Sequence, residues 1–191
     1  MPRASAADAA ETARRILDVA TAHFAEHGYA AASVDELARA ASVTRGAVYH
    51  HYTSKPLLFA AVASAQQQIV ADAIVEATAG SAPDAALRDG SHAFLDAITR
   101  GAASRVLLID GPAVLGWKQW RRLDAEGPDQ ELRAGLREAG VSPALLDPLA
   151  AVLSGAMNEL ALWLAAHPDA AARRQAHRAL DTLLDSVAPQ T

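Results

Sequence analysis

The chain of 191 residues contains no cysteine, which excludes a disulfide scaffold, thiolate metal ligands and cysteine nucleophiles. Aromatic residues are scarce at 5%. No run approaches the ~20 uninterrupted apolar residues of a membrane span. The opening residues Met1 to Asp8 lack the apolar region of a signal peptide. These absences predict a soluble, cytoplasmic chain without a membrane partner. Neither a Gly-x-Ser-x-Gly elbow nor a phosphate-binding loop occurs. What remains is 51% hydrophobic and 20% charged, and roughly a quarter of it is alanine, the strongest helix former. Such a composition excludes disorder and predicts an all-α protein. The net charge of −5 is unevenly placed. Residues 1–60 balance six basic side chains (Arg3, Arg14, Arg15, Arg39, Arg45, Lys55) against six acidic ones, so the whole excess lies in 61–191. That asymmetry predicts two regions with different partners.

Helical periodicity runs along the chain, and no alternating strand pattern appears. A first helix is expected from about Ala10 to His27, with Ile16, Leu17, Ala20 and Phe24 on one stripe and Gly28 as its stop. Ser33-Val34-Asp35-Glu36 has the form of a capping box opening a short helix to about Ala40. Thr44 caps another, from Arg45 to about His51. Ser54 then opens a long helix to about Thr78, with Pro56 tolerated in its first turn. Further helices are expected from Asp84 to about Arg100, from Pro112 through Trp117 and Trp120, and around Leu132 and Leu136 as far as Gly140. The segment from Arg105 to Asp110 reads only as short and apolar. Two last helices span about 143–166 and 169–187, joined by His167-Pro168.

The densest local signal is Ser33 to Lys55, SVDELARAASVTRGAVYHHYTSK. Val34, Leu37, Ala38, Val43, Val48 and Tyr52 supply the core of a two-helix corner. The second helix then presents Thr44, Arg45, Gly46, Ala47, Tyr49 and His50 outward. A forked donor, small residues and ring donors suit a DNA major groove, where arginine bonds guanine bidentately. Helix N-termini at Ser33 and Thr44 offer amides to phosphate, and Lys55 would lie beside the DNA backbone. Together with Ile16 to Ala20, Phe24 to Tyr29 and Lys55 to Leu58, this stretch resembles the DNA-binding domain of the tetracycline-repressor (TetR/AcrR-like) family. The resemblance covers roughly residues 11–62. It departs at Ser42, where the family has glycine before Val43, implying a strained or reshaped turn, and at Pro56, where an acidic residue is usual.

The resemblance implies an N-terminal three-helix helix-turn-helix domain, residues 1–54, and a C-terminal helical effector-binding and dimerisation domain, residues 55–191. It implies a regulator rather than an enzyme, most often a repressor released from a palindromic double-stranded operator by a small molecule, and no cofactor. Arg45, Gly46 and Ala47 would face bases, while Tyr49, His50, Lys55, Ser33 and Thr44 would hold phosphates. The last two helices are apolar over so much of their circumference that each needs more than one neighbour. A four-helix contact between two copies would use Leu149, Val152, Leu153, Ala156, Leu160, Ala176, Leu180 and Leu183. Phe94, Ile98, Leu108, Trp117 and Trp163, with Leu115 and Trp120, are candidates to line an effector pocket. Arg105, His92, Asp110, Asn158 and Glu159 are the polar candidates. The rival from another class is H-x-x-E-H at His23, Glu26 and His27, a zinc-peptidase pattern. Phe24 must face inward, no third ligand stands out downstream, and no metal is expected.

Overall fold

The computed structural model describes residues 6–187; Arg3 and the rest of 1–5, with 188–191, lie outside them. All regular structure among the described residues is helical. Helix α1 (Ala6–Ala31) buries Ile16, Ala20 and Phe24, four residues apart, and is kinked at Gly28 (φ 81°, ψ 166°), where the sequence places its stop. Helices α2 (Val34–Ala40) and α3 (Arg45–Tyr52) follow, joined by a turn in which Ser42 sits at φ 53°. A side chain is strained in that left-handed conformation. Ser42→Gly is therefore expected to raise the stability of this three-helix unit, the head, by about 0.5–1 kcal/mol, the relief of the left-handed side chain less the added backbone entropy of glycine, read as a higher urea midpoint; an unchanged or lower midpoint would contradict this.

Helix α4 (Lys55–Thr78) starts at Ser54, whose hydroxyl accepts the Leu57 N–H at 3.3 Å. One helix thus serves both halves. Its first turns give Leu58, Phe59 and Val62 to the head, and its later turns bury Val70 and Ile74 against α5 (Pro83–Ile98). Within the head, the rings of Phe24, Tyr29 and Phe59 meet at 5.2–5.9 Å, a packing worth more than buried area alone. The Tyr52 hydroxyl donates to the Ala13 carbonyl at 2.8 Å, fastening α3 to α1.

The segment after Ile98 differs from expectation. It is helical throughout as α6 (Gly101–Ala103), a π-helical turn (Ser104–Asp110) and α7 (Gly111–Leu115), and Gly116 at φ 75° then separates α8 (Trp117–Ala125). The expected single helix through Pro112 and Trp120 is therefore two. Trp120 supplies the reason: its buried indole N–H donates to the Leu107 carbonyl at 2.7 Å, and a Cβ on Gly111 would lie only 3.0 Å from its ring. A π turn is a form in which such a locally displaced carbonyl finds another partner.

Helices α9 (Pro128–Glu138), α10 (Pro143–Ala166) and α11 (Ala170–Val187) complete the body. By length and composition α4 and α10 would suffice to cross a membrane, but both are laid into the bundle. In α10 that burial is by Leu153, Met157, Ala161 and Leu164. Facing rows tie α11 to α5: Arg88 pairs with Asp181 and Asp185, His92 meets Asp181 at 2.9 Å and His177 at 2.6 Å, and Arg173 meets Asp96 at 2.6 Å.

Where α8, α9 and α10 meet, Asp124 is 4% exposed and accepts from Arg121 at 3.0 Å and Ser154 at 3.4 Å. Burial, reinforced by Asp129 and only partly offset by Arg121, pushes its carboxyl up to about 6. The folded state therefore holds this proton more tightly than the unfolded chain does. Stability is full below pH ~4, falls as Asp124 ionises between pH ~4 and ~6, and stays lower above, by about 3 kcal/mol at most. Asp124→Asn keeps an acceptor for Arg121 and removes the ionisation cost. The variant should be at least as stable as the parent at pH 8, with a flatter urea-midpoint profile between pH 4 and 6. A variant less stable at pH 8 with the same slope would contradict the assignment.

Candidate nucleic-acid interface

The geometry of the head starts from its caps. Ser33 forms the reciprocal capping box with Glu36, its hydroxyl accepting the Glu36 N–H at 3.1 Å while the Glu36 carboxylate accepts the Ser33 N–H at 3.3 Å. Those bonds hold the Glu36 carboxyl below its usual range. Thr44 accepts the Ala47 N–H at 3.1 Å and opens α3. Val48 is buried on the inner face of α3, so Arg45, Gly46, Tyr49 and His50 are left exposed together, with Ala47 half-buried beside them. Gly46 has open space where a Cβ would be, its nearest contact being the Thr44 hydroxyl at 3.7 Å, so a surface can approach this helix closely.

Arg45 is not free on that face. Its guanidinium donates to Asp35 at 2.8 Å, lies 5.4 Å from the Tyr49 ring centroid and reaches the Tyr49 hydroxyl at 3.4 Å. Asp35 holds the guanidinium firmly in its charged form. No local pattern pairs residues 35 and 45; the contact arises from how α2 crosses α3. Lys55 also differs from the expectation of a free phosphate contact. It is half-buried, with Nζ 4.2 Å from the Tyr29 ring centroid, and burial pulls its ammonium below the ordinary range. It therefore joins the start of α4 to the end of α1 before it meets any other partner.

In the zinc-peptidase pattern, His23 and His27 stack edge-to-face at 4.6 Å, and their nearest carboxylates are Glu36 at 4.0 Å and Glu26 at 3.7 Å respectively. Among the described residues no group of three or more histidines and carboxylates is placed to hold a metal.

The expected effector residues do not converge. Phe94 borders a cavity of about 90 Å³ between α4, α5, α9 and α10, with room for little more than water. Ile98 and Leu108 are buried in the core, and Leu115 is half-buried. Trp117 is 68% exposed and stacks on Trp120; the break at Gly116 turns it outward. Trp163 is half-buried and stacks on His167 at 4.6 Å. Arg105 instead borders an open groove of about 590 Å³ formed by the π turn, the end of α1 and the α10–α11 connection. Of the other polar candidates, His92 faces α11, Asp110 accepts the Tyr29 N–H at 2.8 Å, Asn158 is buried and Glu159 is exposed.

The expected dimer surface also divides. Leu153, Ala176 and Leu180 lie within 1% of full burial, packed into the chain's own core, and are corrected to core residues. Leu149, Ala156 and Leu160 are half-buried, whereas Val152 and Leu183 are exposed. Periodicity alone had merged two faces of one helix. The outward face of α10 carries Leu145, Pro148, Val152, Gly155, Glu159, Leu162 and Ala166, all exposed and spaced alternately three and four apart. Pro148 and Leu162 were not foreseen.

The pattern of capped short helices followed by a bundle of longer ones is matched by known families. The model of bacterial regulatory proteins of the tetR family matches residues 16–62, and that of the tetracyclin repressor-like C-terminal domain matches residues 85–187. The A-factor receptor protein of Streptomyces griseus is 32% identical over 152 residues, 76% of this chain and 51% of that protein. The HTH-type transcriptional regulator SrpR of Pseudomonas putida is 45% identical over 67 residues, 35% of this chain and 32% of that one. The chain therefore spans between a third and a half of these relatives' lengths. The crystal structure of a TetR-family transcriptional regulator from Pectobacterium atrosepticum superimposes with a TM-score of 0.76 at 29% identity, over 98% of this chain and 99% of that one. With its C-terminal match alone covering more than half of the residues, and the helix-turn-helix head in front of it, the chain belongs to the TetR family of bacterial transcriptional regulators.

Proposed function

We propose that the protein is a homodimeric, ligand-responsive repressor that leaves a near-palindromic DNA operator when a small molecule binds its body. The observation carrying this reading is the exposed face of α3, where Arg45, Gly46, Tyr49 and His50 stand together behind a capped N-terminus. That face suits a major groove, with Arg45 and Gly46 toward bases and the α2 and α3 N-termini toward phosphate. Residues 1–54 act as the reading head and 55–191 as the sensing and pairing body. Two copies join through the exposed face of α10 with Leu183 of α11, which places two heads on successive major grooves. A relative named as a receptor protein supports the ligand-responsive part. Because effector and operator bias one conformational equilibrium, each weakens the other's binding by the same factor.

Selection from random duplex DNA, followed by sedimentation of the enriched complex, tests the reading. The expected result is a near-palindrome carrying two chains. Enrichment of nothing by folded protein, or one chain per duplex, would contradict it.

A further inference from the structure

We propose that the effector site is the open groove where head meets body, and that it takes a small amphipathic anion, a carboxylate with an apolar tail. The proposal rests on the ligand-responsive reading above and gives it a place and a ligand chemistry. This groove, at about 590 Å³ against about 90 Å³ for the cavity beside Phe94, has the size of a small-molecule site. One part of its lining is apolar, with Ala25, Ile109, Leu164 and Pro168; another carries Arg105, His167 and Arg173.

The charged groups are unequally committed. Arg173 is engaged with Asp96 at 2.6 Å. The groove's acid, Asp169, accepts the N–H groups of Ala171 and Ala172 at 2.8 and 2.9 Å, which hold its carboxyl below the usual range. Arg105 is held loosely: 3.4 Å to each of the Glu26 and His27 carbonyls and 3.9 Å to Asp110, with its buried Nε lacking a hydrogen-bond partner. A guanidinium with such long contacts, beside an apolar wall, is matched by a carboxylate that bonds it bidentately while its tail covers the wall.

The position of Arg105 connects that binding to DNA. It lies across Gly28, where a Cβ would come within 2.5 Å of Nη2, and it neutralises the carbonyl end of α1's first segment. On the same π turn, Asp110 accepts the Tyr29 N–H, and the Tyr29 ring carries Lys55. An anion that draws Arg105 toward the groove removes one of two hydrogen-bonded side-chain links that supplement the apolar packing between π turn and head, which loosens the pose of the head on α4.

Calorimetry on the full chain with octanoate and with 1-octanol tests the site, alongside Arg105→Gln and the charge-keeping Arg105→Lys. Octanoate should bind at least about tenfold more tightly than octanol. Arg105→Gln should lose that preference and Arg105→Lys should keep part of it. Octanoate should weaken binding of the selected DNA by the parent and leave Arg105→Gln unaffected. Equal binding of octanoate and octanol, no binding of carboxylates of any length from four to twelve carbons, or unchanged octanoate binding by Arg105→Gln would each overturn the proposal. Parent protein that selects a palindrome but fails these tests keeps the regulator reading and loses this site. Protein that binds octanoate through Arg105 but selects no DNA does the reverse.

Discussion

Val152→Arg is expected to convert the protein into a folded monomer and to lower its affinity for the selected operator by about two orders of magnitude or more. Val152 is 63% exposed in the single chain, so its replacement leaves no cavity and the helix content should not change. It lies near the middle of the α10 face, where Leu145, Pro148, Val152, Gly155, Glu159 and Leu162 are exposed at alternating three-and-four spacing. Such a seam, left open in one chain, suits a helix of a second copy, and the small residue allows close approach. In a two-fold contact each substitution meets the same surface, so two long cationic side chains are forced into an apolar, closely packed seam, where their desolvation is costly. Loss of the dimer then costs the operator one of its two heads, and with it the effective concentration that makes the second half-site an intramolecular contact. Sedimentation at micromolar concentration reads the first effect and anisotropy the second. A variant that stays dimeric would place the pairing surface elsewhere.

Arg45→Ala and Asp35→Asn are expected to act in opposite directions. A bidentate arginine–guanine pair contributes ~1–3 kcal/mol of discrimination, and a dimer makes the contact twice, so Arg45→Ala should cost between about thirtyfold and about ten-thousandfold on the selected site. Affinity for unrelated DNA should change far less. In the free protein Arg45 is bound to Asp35 at 2.8 Å, with both side chains 57% exposed. Reading a base means exchanging that carboxylate for guanine, close to phosphates that repel it. Asp35→Asn should therefore tighten binding to all DNA and narrow the gap between the selected site and random sequence. If Asp35→Asn weakened all binding, Asp35 would be a positioning partner that Arg45 needs.

Much of this architecture is legible in the residues because its signals are local. Ser33 with Glu36, Thr44 with the Ala47 amide, and Ser54 before Pro56 mark helix starts within a few positions, and Gly28 marks a stop. The left-handed turn at Ser42 was legible only through the family resemblance, from the glycine usual at that position, since serine itself does not announce it. What escaped depends on how helices cross. Nothing near Arg105 in the chain announces that its guanidinium reaches Glu26 and His27, or that Trp120 bonds Leu107 and accompanies a π turn there. In the same way, an apolar stripe on α10 cannot show which leucines its own core consumes. Leu153 turns inward and Val152, its neighbour, turns out. The pocket failed for a related reason: Phe94, Ile98, Leu108 and Trp117 are large and apolar at helical spacing, but three of them fill core and Trp117 faces out.

The central claim, that α3 reads sequence through Arg45, is tested most directly by selecting sites from random duplex DNA with the parent and Arg45→Ala in parallel. The account predicts a near-palindrome containing a guanine in each half-site, with preference lost at that position in the variant and the spacing of the half-sites retained. The same consensus from both proteins, undiminished at every position, would contradict it.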